Sequence, residues 1–100
     1  MAVKLLMSWD IRPGKEQGYF EFAMQTFAPG LMKLGWQPTE VWYTLYGDAP
    51  QILTGGITET LEQMRDILDS DEWEELKSRL LEYVTNFRYK VVPATGRVQL

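Results

Sequence analysis

Two polar side chains stand at the end of an apolar segment, Asp10 and Arg12 in Trp9-Asp10-Ile11-Arg12-Pro13-Gly14. A carboxylate and a guanidinium so spaced can orient a polar ligand, and they can equally form a surface salt bridge or staple a loop. Asp69, Asp71, Glu72, Glu74 and Glu75 form an acidic run that would attract a divalent cation. It lacks the alternating ligand order of a calcium loop, and its first members are what a helix start requires. Thr54-Gly55-Gly56 has neither the lysine nor the strand-to-helix setting of a phosphate cradle, so it reads as a strand thinned for close packing. The remaining candidate chemistry is apolar. Met7, Trp9, Phe27 and Tyr43 could line a cavity between a sheet and a helix with the Tyr43 hydroxyl as its anchor, or could simply fill a core.

Composition narrows the chemistry further. The 100 residues contain no histidine and no cysteine, which excludes disulfides, thiol nucleophiles, imidazole-based triads and the usual zinc, haem and non-haem iron ligands. The expectation is a protein without metal or cofactor. A net charge of −4 argues against a nucleic-acid partner, which needs clustered Lys and Arg. The apolar run at Val3–Met7 is too short and too soon interrupted for a signal peptide or a membrane span, so a cytoplasmic protein with no membrane partner is expected.

The periodicities describe the elements that would position these residues. Val3, Leu5, Met7, Trp9 and Ile11 alternate as a strand with one apolar face. From Lys15 the period becomes helical, with Tyr19, Phe20, Ala23, Met24 and Phe27 on the core stripe. Ala28-Pro29-Gly30 should kink or stop that helix, with a restarted turn ending at Gly35. Thr39–Tyr46 and Gln51–Ile57 read as a hairpin. Thr58 or Thr60 caps a helix carrying Leu61, Met64, Ile67 and Leu68, and a second helix starts near Ser70 with Trp73, Leu76, Leu80 and Val84 at helical spacing. Phe87–Val92 is the last strand, closed by Pro93, and Val98 and Leu100 in the tail could pair with a partner. No repeat or linker divides the chain, so residues 1–100 form one domain.

This order is βαββαβ, the ferredoxin-like α+β arrangement: a four-stranded antiparallel sheet with helices on one face. The face away from the helices would carry Lys4, Leu6, Ser8, Asp10, Glu40, Trp42, Thr44, Tyr46, Arg88, Lys90 and Val92. That mixture is too aromatic for a freely solvated surface and too charged for a core, which suits a homodimer interface at Leu6, Trp42, Tyr46 and Val92. A chain this short also gains interior by pairing.

The pattern resembles the dimeric α+β barrel superfamily, whose subunits pack sheet to sheet. The segments that carry the likeness are Ile11-Arg12-Pro13-Gly14-Lys15-Glu16 and Ser70-Asp71-Glu72-Trp73, which look like NIPSNAP-type and EthD-type members. The superfamily includes haem-degrading enzymes that use Asn, Trp and His, but this chain has no histidine and only Asn86. It also includes cofactor-independent monooxygenases acting on antibiotics. The resemblance implies a homodimer; the residues themselves suggest that it binds an apolar or aromatic small molecule between sheet and helices through Met7, Trp9, Arg12, Phe27 and Tyr43. The alternatives are a cofactor-independent monooxygenase or isomerase using Trp9, Tyr43 and Arg12, and an interaction module without a ligand.

Overall fold

Alternation decides the central strand. In the computed structural model, which describes residues 1–94, β1 (Val3–Ile11) buries every odd-numbered side chain and leaves the even-numbered ones half-covered. Its neighbours are β3 (Ile52–Thr58) and β4 (Val84–Pro93), and β2 (Gln37–Tyr43) pairs with the outer side of β3. The sheet order β2-β3-β1-β4 is antiparallel throughout, as the ferredoxin-like reading requires. The helices are α1 (Glu16–Phe22), α2 (Ala28–Lys33), α3 (Leu61–Leu68) and α4 (Asp71–Leu80).

The predicted break at Ala28-Pro29-Gly30 is absent. A π-helical segment, Ala23–Phe27, joins α1 directly to α2, and the Ala28 amide donates to the Ala23 carbonyl five residues back. Pro29 sits in the first turn of α2, where a missing N–H costs least. The buried stripe is Tyr19, Phe22, Phe27 and Leu31. Phe20 and Met24, expected in the core, lie on the flank of this helix instead, with Met24 75% exposed.

The two later helices begin where their caps lie. Thr60 Oγ1 accepts from the Gln63 amide at 3.1 Å while Gln63 Oε1 accepts from the Thr60 amide at 3.2 Å, a reciprocal cap on α3. Ser70 Oγ accepts from the Trp73 amide at 3.1 Å and donates to the Ile67 carbonyl at 2.6 Å, so one hydroxyl ends α3 and starts α4. Met64, Ile67, Trp73, Leu76 and Leu80 are buried against the sheet, each contributing about 1.5–3 kcal/mol of hydrophobic stabilisation. Val84, which keeps helical spacing in the sequence, belongs to β4 and faces Ile11.

Strand ends also shift. The hairpin pairing runs from Gln37 to Tyr43, and the Thr44 hydroxyl donates to the Pro50 carbonyl at 2.8 Å, turning the chain out of the sheet. Leu45 and Tyr46 therefore lie in the loop, Tyr46 98% exposed, and not on the sheet face assigned to it. Asn86 lies within β4 at a bulge opposite Ser8–Asp10, in the left-handed region with φ 56°. The expected pairing of Val98 and Leu100 falls outside the described residues.

Candidate functional site

β1 is covered on its helix side and β2 is not. Val41 and Tyr43 lie on the helix side of β2 yet remain exposed, although α2 approaches this strand and the Phe20 ring of α1 meets Tyr43 at 6.2 Å between centroids. The uncovered space is a cavity of about 710 Å³ with a largely apolar lining. Trp9, Trp36 and Ile52 line its base, Phe20, Met24 and Phe27 its helix side, and Val41 and Tyr43 its strand side. Its dimensions and its few polar groups suit a small organic molecule.

Trp9 organises the base. Its ring meets Phe27 edge-on at 5.9 Å and stacks on Phe87 at 6.0 Å between centroids. Its indole N–H donates to the Tyr19 hydroxyl at 2.9 Å in buried surroundings. Burial pushes the Tyr19 phenol up to about 12, against the lowering effect of the Trp9 bond, so Tyr19 stays neutral and protonated. Trp36 is 3% exposed, and its indole nitrogen has no hydrogen-bond partner among the described residues. An enclosed, unpaired N–H of this kind costs about 1–3 kcal/mol.

Of the residues proposed from sequence to bind a ligand, Trp9, Phe27 and Tyr43 lie on this cavity. Met7 is buried in the core next to it without being part of the lining. Arg12 is elsewhere, its guanidinium donating to the Leu81 carbonyl at 3.2 Å. Asp10 acts as a staple: its two oxygens accept from the Gln51 amide at 2.8 Å and from the Asn86 side chain at 2.9 Å. The Asn86 bond, then the Gln51 amide, hold its carboxyl below the ordinary 3.8. The acidic residues Asp71, Glu72 and Glu74 occupy the first turn of α4, where they offset the helix dipole. No group of three or more potential metal ligands occurs among the described residues.

The other lining residues have no cavity role in the sequence: among them, Phe20 and Met24 fall on the helical core stripe by their period, Val41 and Ile52 belong to the hairpin strands, and Trp36 stands between elements. A signal for Trp36 did exist. It directly follows the helix-ending Gly35, at φ 107°, and it needs the bare backbone that Gly56 supplies.

On the opposite face, register places Leu6 beside Gly55 and Lys90, and Ser8 beside Leu53 and Arg88, with Trp42 across from Leu53. Trp42 is 63% exposed there, and Leu6 and Val92 are half-buried. Lys4 and Glu40 form a salt bridge of 2.9 Å that spans β3. The Lys4 and Thr39 hydrogen bonds hold the Glu40 carboxyl below its ordinary value. Among the described residues no helix is long and apolar enough to cross a membrane.

No family model matches the chain, and no curated protein is similar to it in sequence. Solved structures are similar over nearly its whole length. An ethyl tert-butyl ether D (EthD) family protein from Bacillus halodurans superposes with a TM-score of 0.73 at 16% identity, covering 95% of this chain and 100% of its own. A NIPSNAP family protein from Agrobacterium tumefaciens gives 0.71 at 15% identity, covering 95% and 94%. A protein of unknown function from Bacteroides fragilis, described as dimeric with a ferredoxin-like fold, gives 0.62 at 14% identity over 92% and 95%. The chain is thus a ferredoxin-like α+β protein with the fold of these NIPSNAP and EthD structures.

Proposed function

We propose that this protein binds an apolar or aromatic small molecule in the cavity between α1, the π segment and the β2–β3 hairpin. The observation that carries the reading is a largely apolar cavity of about 710 Å³ on the helix side of β2, lined by the exposed Val41, Tyr43 and Met24 and by Phe20, whose ring meets Tyr43 at 6.2 Å. A folded chain that leaves this much apolar surface around one concavity gains by covering it. The test is a thermal-unfolding series with 2-acetylnaphthalene. A ligand bound only by the native state adds about 2.7 kcal/mol at a concentration of one hundred times its Kd. Met24→Glu, at an exposed lining position, should abolish that shift while leaving the unliganded transition in place; the absence of any shift in the wild type would defeat the reading.

The same proposal includes a homodimer joined through Leu6, Trp42 and Val92 on the helix-free face. The exposed Trp42, set among Leu6 and Leu53, supports it, as does the dimeric description of the Bacteroides fragilis structure. Turnover at the cavity, by oxygen insertion or isomerisation, would be a further step, read as oxygen uptake or product formation with a phenolic substrate.

A further inference from the structure

Among the described residues the lining has no cation and at least two unused buried donors, the Trp36 indole N–H, which lies over Gly56, and the Tyr19 hydroxyl. Tyr19 Oη accepts the Trp9 indole proton at 2.9 Å, and among the described residues no acceptor receives the proton of the Tyr19 hydroxyl. A hydroxyl that already accepts one hydrogen bond is polarised into a better donor. No lysine or arginine lines the cavity, and Glu40, the one carboxylate among its residues, is paired with Lys4. An anionic ligand would therefore be desolvated without a counter-charge.

We propose that the cavity selects an uncharged ring compound bearing a carbonyl-type oxygen, which accepts the free proton of the Tyr19 hydroxyl while the ring lies against the apolar walls that Met24, Phe27 and Val41 provide. This specificity rests on the ligand-binding reading given above. The Trp9–Tyr19 pair fixes the depth of the oxygen, since one bond holds the phenol in the lining and its own proton has no acceptor among the described residues. Tyr19 is thus a binding residue selecting ketones, quinones and related neutral acceptors over hydrocarbons and carboxylates of equal size.

The test is calorimetric titration at neutral pH with three matched probes: 2-acetylnaphthalene, 2-ethylnaphthalene and 2-naphthoate. The ketone should bind roughly tenfold more tightly than the ethyl compound, with the carboxylate weakest. Tyr19→Phe should bring the ketone and ethyl compound to equal affinity. Equal affinities in the wild type, a ketone preference that survives Tyr19→Phe, or a preference for the carboxylate would each overturn the inference while leaving the cavity as a binding site. Failure of both neutral probes would instead overturn the ligand-binding reading and this inference with it. Should Tyr19→Phe not fold, nuclear Overhauser contacts from the acetyl methyl of the bound ketone to the Tyr19 ring decide the matter, and their absence would overturn the proposal.

Discussion

The indole of Trp36 occupies the space that a Cβ on Gly56 would need. On the other side of the sheet, a Cβ on the preceding Gly55 would meet the Glu40 carboxylate that reaches across β3 to Lys4. Two consecutive glycines thus serve two faces: one lets a tryptophan lie on the strand beneath the cavity, the other lets an ion pair pass over it. The chain loses little strand stability from glycine here because β1 and β2 hold β3 on both edges.

Gly56→Ala should destabilise the fold by about 1–3 kcal/mol, since Trp36 is enclosed and must move bodily. Gly55→Ala should cost less, because the group it displaces is the end of a flexible, partly exposed side chain. Urea denaturation compares the two, and equal midpoints would contradict this account.

Ser70→Ala removes the hydroxyl that both receives the Trp73 amide and caps the end of α3. A loss of about 1 kcal/mol is expected, within the usual range for a helix cap. A chemical-denaturation midpoint unchanged from wild type would mean that water replaces the cap.

Asp10 and Glu40 have carboxyl groups held below their ordinary values in the folded state, Asp10 first by Asn86 and Glu40 first by Lys4. A depressed folded value means that the stabilisation is present above the unfolded pKa and is lost as pH falls through the folded one. Stability should therefore decline on acidification below about pH 4, and the double variant Asp10→Asn, Glu40→Gln should decline less steeply across that range. Denaturant midpoints measured from pH 6 to pH 2 provide the check; parallel curves would count against both contacts.

Trp42→Glu places a charge on the edge strand of the proposed dimer face without touching the core. Light scattering behind a sizing column should give about twice the 11.6 kDa chain mass for the wild type and the single-chain mass for the variant. A wild type that runs as a monomer would leave Trp42 as an exposed surface with no second copy on it.

Tyr43→Ala removes one strand-side wall of the cavity at a half-exposed position, so folding should be little changed. Affinity for 2-acetylnaphthalene should fall several-fold through lost ring contact. An unchanged affinity would put the ligand deeper, against Trp9 and Trp36 alone.

Much of this architecture is written locally. The alternation of Val3 to Ile11 is enough to specify a strand with one buried face, and the oxygens of Thr60 and Ser70 are enough to start two helices. These signals depend only on neighbours within a few residues, so the βαββαβ order and the face carrying Leu6 and Trp42 are legible without coordinates. What the sequence alone left open depends on contacts between distant segments. Whether Pro29 breaks a helix or is accommodated by a π turn depends on where Phe22 and Phe27 must land on the sheet. Whether aromatic residues fill a core or border a cavity depends on how far α1 extends over the hairpin, and periodicity does not encode that distance. The same holds for Trp9 and Tyr19, ten residues apart on a strand and a helix: their hydrogen bond exists because the chain folds back through Pro13–Gly14, and only that packing sets two core-type aromatics as a bonded pair on the cavity lining.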